Sequence, residues 1–216
     1  MRKLYIFCLI LLAIVLGANL GKLLAPKNDK LGEVHVTVVV EQYRNGKLIN
    51  RIVDNKDPFT RNFINIMANY FMYFGSGRTF QMKDTAGTTY NFYINAHLSS
   101  GYSYWLLRST GNYIWIGDGT SAFSIDDYKL TGTWTTKTTS SNPTESVVDP
   151  KINYTISASF SMGAAHTIAE VGYSTILQDT GGNNREILLM RDVLPTPISA
   201  LAGDTVTVTY IIRING

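Results

Sequence analysis

Few side chains in this chain are of a type and spacing that could do chemistry. Its three histidines, His35, His97 and His166, stand far apart, and none has a carboxylate or a second histidine at ligand spacing. His35 lies in a valine-rich run, His97 at the end of an alternating run, and His166 at an expected turn, so each reads as a packing or surface residue. Serine and threonine are plentiful, but no Gly-x-Ser-x-Gly elbow occurs, and spacing alone pairs no nucleophile with a base. A glycine-rich phosphate loop is also missing. The sequence therefore predicts a protein that is not an enzyme, with no catalytic residues and no cofactor.

Three other groupings could bind something. Asp118-Gly119-Thr120 with Asp126-Asp127 offers oxygens of the kind that Ca²⁺ takes six to eight at a time from a flexible loop. The set lacks both the regular spacing of a calcium loop and its closing glutamate, so the expectation is a turn leading into a polar strand, with no metal. Tyr102, Tyr104, Trp105, Tyr113 and Trp115 crowd one stretch and could form a stacking platform for sugars or a partner. Large aromatics on alternating strands usually pack inward, so the core is the expected place for them. Asn153-Tyr154-Thr155 is an N-glycosylation acceptor in an exported chain, and Asn153 alternates with Ile152 and Tyr154, so it should face solvent.

Composition narrows the class. The chain has 216 residues, 45% apolar and 16% charged, with net charge +3 and one cysteine, Cys8. Such a length suits one domain, and the apolar fraction is that of a folded protein. Without Arg2 and Lys3 the body holds 17 basic and 16 acidic residues, which excludes the basic excess of a nucleic-acid binder. Those two charges precede Leu4 to Leu16, an unbroken apolar run followed by Gly17-Ala18. Residues 1–25 thus read as a signal peptide, or as an anchor if uncleaved, with membrane contact only through residues 1–20. Either reading exports the body to the secreted or cell-surface (or virion-surface) side.

The elements follow from periodicity. Val34, Val36, Val38 and Val40 alternate with His35, Thr37 and Glu41, Asn45-Gly46 is a hairpin turn, and Lys47 to Asp54 is the returning strand. Pairing Arg44 with Lys47 places Asp54 opposite Thr37 and leaves the residues before Thr37 overhanging. Asp57-Pro58 reads as the start of an amphipathic helix whose apolar face runs through Phe59, Phe63, Ile66, Met67 and Tyr70 to Gly75. After Gly87 the chain alternates through Tyr90–Ile94, Ile152–Met162 and Val206–Ile214, divided by glycine turns. About ten strands and one helix predict a mainly β, antiparallel β-sandwich of jelly-roll type over residues 31–216.

Several short motifs then stand out: Ile116-Gly117-Asp118-Gly119 with Asp127 and Leu130; Ile168-Ala169-Glu170-Val171-Gly172-Tyr173; Leu189-Met190-Arg191-Asp192-Val193; and Ala202-Gly203-Asp204 leading into Thr205–Tyr210. Their order and spacing resemble β-sandwich structural subunits of archaeal extracellular filaments and of phage or archaeal-virus tails and virion appendages. The resemblance covers Ile116 to Ile214 and implies structural, noncatalytic roles for these residues. The exported N-terminus favours a surface filament over a tail, which is assembled inside the cell. The expected function is a self-assembling homo-oligomeric subunit that polymerises by strand addition, with Val34, His35 and Val36 as self-assembly residues. The alternative is a membrane-anchored surface module that binds glycans through the aromatic stretch.

Overall fold

The structure, a computed structural model, describes residues 33–72, 79–93, 111–148 and 151–215. Among these it has eleven strands and one helix: β1 (Val34–Arg44), β2 (Lys47–Asp54), α1 (Arg61–Met72), β3 (Thr79–Lys83), β4 (Thr89–Tyr93), β5 (Tyr113–Gly117), β6 (Thr135–Thr139), β7 (Thr144–Val148), β8 (Lys151–Ser161), β9 (His166–Gln178), β10 (Asn184–Ala200) and β11 (Thr205–Asn215). They form a five-stranded sheet β2-β1-β11-β8-β7, a four-stranded sheet β10-β9-β5-β6 and the hairpin β3-β4, all antiparallel. No described helix is long and apolar enough to cross a membrane. Residues 1–25, expected from sequence to be a signal peptide or anchor, and His97, Tyr102, Tyr104 and Trp105 lie outside the described residues.

One apolar core joins the two large sheets. Val36, Val38, Val40, Ile156, Phe160, Val206, Val208 and Tyr210 meet Ile114, Ile116, Ile168, Val171, Tyr173 and Leu189 from the other layer. The Tyr173 and Tyr210 rings touch across the interface at 6.0 Å. Each inward row follows from period-two alternation, which puts every second side chain on one face.

The turns follow local chemistry. Asn45 and Gly46 both have positive φ, 51° and 74°, as the tight two-residue hairpin requires. At three other turns an aspartate ties the loop: Asp84 accepts from the Ala86 and Thr88 amides, Asp179 from Gly181 and Asn183, and Asp204 from Leu201. Asp204 also binds Gln42 and Arg44 of β1, so the turn that opens the last strand is bolted to the first.

Two local expectations are corrected. Arg44 does pair with Lys47, but a bulge between Gln42 and Tyr43 shifts the register, so Asp54 lies opposite Val38 rather than Thr37. Asp57-Pro58 does not start the helix. Asp57 accepts the Val36 amide at 2.8 Å, while the Pro58 carbonyl and the Thr60 amide hydrogen-bond the backbone of β10. The helix begins at Arg61, with the Thr60 carbonyl accepting the Ile64 amide. Residues 58–60 thus cover the edge of β10 at Leu189–Arg191, and Phe59 stacks on Phe63 at 4.3 Å.

Candidate functional site

The densest polar arrangement lies on the outer face of the four-stranded sheet, where residues 118–134 fold over β5 and β9. Glu170 of β9 and Arg191 of β10 are both fully buried and paired at 2.8 Å. Every guanidinium donor of Arg191 is used: Nε goes to Glu170, Nη1 to Asp127 and the Ala122 carbonyl, and Nη2 to the Ser121 carbonyl and Thr131. Glu170 in turn accepts the Thr131 and Gly132 amides at 2.9 and 2.8 Å. A buried ion pair offsets its desolvation only when its remaining hydrogen-bonding positions are filled, and here they are.

Glycine makes the approach possible. A β-carbon on Gly119 would sit 2.3 Å from Glu170 Oε1, and one on Gly132 would sit 2.2 Å from Asp118 Oδ1. One on Gly172 would lie 2.6 Å from Leu130 Cδ1, so the Leu130 side chain seats directly on the β9 backbone. The motifs singled out from sequence, Ile116–Gly119, Asp127, Leu130, Glu170–Gly172 and Arg191, therefore converge on one clamp. Its chemistry is to hold a loop, because its donors and acceptors face one another.

The three candidate calcium carboxylates do not converge. Asp118 accepts the Trp134 amide and the Thr133 hydroxyl, and these hydrogen bonds hold its carboxyl below the usual range. Asp126 pairs with Arg61, which likewise lowers it. Asp127 goes to Arg191 and to the Ser124 amide. No group of three or more metal-ligating side chains occurs among the described residues.

The aromatic expectation is corrected where it can be seen. Tyr113 and Trp115 are half-buried on the outer face of the sheet, and it is Ile114 and Ile116 between them that enter the core. Trp115 Nε1 donates to Ser174 and Glu186, and the Lys137 ammonium lies 4.4 Å and 4.7 Å from the Tyr113 and Trp115 ring centres. Of the histidines, His166 stacks on Trp134 at 3.8 Å, and His35 sits beside Glu33 and Asp57.

Val34, His35 and Val36 are paired within the chain to Ile214, Arg213 and Ile212 of β11, and Val36 is buried. Their other side is not covered by β2, whose pairing with β1 begins at Val38. Asn153 lies between β7 and β11, half-buried, with its side-chain oxygen accepting from Arg213 Nε at 3.1 Å.

The edges of the five-stranded sheet form a second feature that pattern reading missed. β2 carries Leu48, Ile49 and Val53 at 49%, 47% and 47% exposure, and β7 carries Val147 at 64%. Neither strand has a partner on its outer side among the described residues. Compared with known proteins, the chain matches no family model, no curated protein and no solved structure.

Proposed function

We propose that this chain is an exported, non-enzymatic structural subunit of jelly-roll type that assembles with copies of itself into an extracellular filament or virion appendage. The observation that carries the reading is the contrast between edges. Residues 58–60 cover the β10 edge at Leu189–Arg191, whereas among the described residues β2 and β7 leave main-chain groups and the apolar side chains Leu48, Ile49, Val53 and Val147 open at opposite ends of one sheet. Soluble proteins ordinarily blunt such edges, because an open one is a template for another strand. Addition at two different edges is head-to-tail, and head-to-tail contacts that do not close give a filament. Val34, His35 and Val36 fit this reading as a donor segment. Their bonds to β11, made here within one chain, can be made identically to a neighbour's β11 by strand exchange.

The resemblance to filament and virion β-sandwich subunits fits the same reading, since its motif residues build the clamp that holds residues 118–134 onto the sheet. Sedimentation of the purified full chain over a range of concentrations tests it. The reading requires species that grow without a fixed end-size, and a single monomeric boundary at all concentrations refutes it.

A second reading, a surface-anchored glycan-binding module, rests on Tyr113 and Trp115 lying on the outer face instead of in the core. Their indole nitrogen and ring faces already have partners in Ser174, Glu186 and Lys137, so a sugar would have to displace Lys137.

A further inference from the structure

Two buried polar atoms between the large sheets lack a hydrogen-bond partner: Asp192 Oδ2 and the Tyr210 hydroxyl. Buried polar groups are almost always satisfied, so two orphans in one interior need a reason. The sheet registers bring them together. On the inner face of the five-stranded sheet, Asp54, Val38, Tyr210 and Ile156 are successive cross-strand partners in one row. Asp192, opposite Val171 in the β9–β10 pairing, reaches the same interior from the other layer.

The charges around it make a carboxylate costly there. Asp54 of β2 and Tyr210 of β11 both interact electrostatically with Asp192. Lys56, in the segment leaving β2, is the cation that faces the pair, and it is held by Asp54 at 3.0 Å. Arg191, next in sequence, directs its guanidinium to Glu170 and Asp127 on the opposite face. A neutral acid suits this place better than an anion.

We propose that Asp192, faced by Tyr210 and Asp54, is a proton-binding site buried between the two sheets, and that loss of its proton loosens the seam where β2 meets β10. Protonated, the carboxyl is neutral beside Asp54 and has a hydrogen to donate. Ionised, it becomes an anion next to another carboxylate, favoured only by the Val193 amide and the charges of Lys56 and Arg191, and separation of the layers at the β2 end relieves it. The seam includes the crossing at residues 55–60 and the open edge of β2, so the switch acts where a neighbouring strand would dock.

Burial, and then the Asp54 charge, push the Asp192 carboxyl up to about 7. An acid raised in the folded state stabilises below its unfolded value of about 4 and loses that stabilisation as pH rises, levelling off above its folded value. For this shift the unfolding equilibrium constant rises about 100-fold between pH 5 and pH 8.

The test is denaturant unfolding of the full chain and of Asp192→Asn at fixed intervals from pH 5 to pH 9. The wild type should lose stability through neutrality, and Asp192→Asn should flatten that slope. An equal slope in both proteins, or none in the wild type, overturns the proposal. A second readout needs no variant: infrared spectra of the folded wild type should show a protonated-carboxyl stretch at pH 6 that vanishes by pH 8. If all carboxyls are ionised at pH 6, the proposal fails even where Asp192→Asn does not fold.

Discussion

Glu170→Gln keeps the shape of a fully buried side chain and removes its charge. In the wild type, one carboxylate oxygen accepts the Thr131 and Gly132 amides at 2.9 and 2.8 Å, and the other accepts Arg191 Nε at 2.8 Å. A glutamine offers one acceptor and one NH₂. Whichever way the amide turns, its NH₂ meets either two backbone donors or a guanidinium donor. Arg191, with no exposure, is left with Asp127 as its one anionic partner. Breaking one side of a buried ion pair costs roughly 3–5 kcal/mol, several times the worth of an exposed pair. Urea unfolding followed by tryptophan fluorescence at pH 7 measures the loss. Hydrogen exchange should show the Thr131 and Gly132 amides released in the same variant. Adding Arg191→Met removes the orphaned cation, so the double variant should cost at least about 2 kcal/mol less than the sum of the singles. A single-variant cost below about 1 kcal/mol with unchanged exchange would refute the clamp.

Three further outcomes follow from the same geometry. Gly119→Ala puts a methyl 2.3 Å from Glu170 Oε1 and should destabilise by about 1–3 kcal/mol in the same urea assay, because the atom it meets is locked in the clamp. Asp204 is held well below the usual carboxylate range by Arg44, then the Leu201 amide and Gln42. Its stabilisation is therefore present above the unfolded value and lost as pH falls, so Asp204→Asn should lower stability at neutral pH and weaken the acid limb of a pH–unfolding curve. Val53→Lys places a charge on the open β2 edge, at a half-exposed site opposite Val39. It should change unfolding by no more than about 1 kcal/mol while suppressing concentration-dependent growth in sedimentation.

What could be read from sequence was what depends on neighbouring residues. Val36, Val38 and Val40 announced an inward row, and Asn45-Gly46 announced its turn, because period-two alternation and positive φ are local requirements. The errors lie where a distant element overrides a local signal. Asp57-Pro58 has the chemistry of a helix start, but the edge of β10 offered those backbone groups stronger partners. The register slip after Gln42 depends on a bulge that alternation does not encode. Tyr113 and Trp115 flank Ile114 and Ile116 in a run apolar on both faces, so parity alone could not say which row enters the core. β10 was hidden by Pro195 and Pro197, which fall where the pairing with β9 is interrupted between Val193 and Ile198 on an edge strand. Glu170 and Arg191 lie in the motifs Ile168–Tyr173 and Leu189–Val193, yet their pairing across the β9–β10 hairpin appears only when the strands are laid side by side.

The most direct test of the central claim is negative-stain electron microscopy of the purified full chain beside its Val53→Lys variant. Self-assembly through an open sheet edge predicts regular fibres of uniform width from the wild type and short or no fibres from the variant. Monodisperse particles from both proteins would contradict the account of this chain as a self-assembling structural subunit.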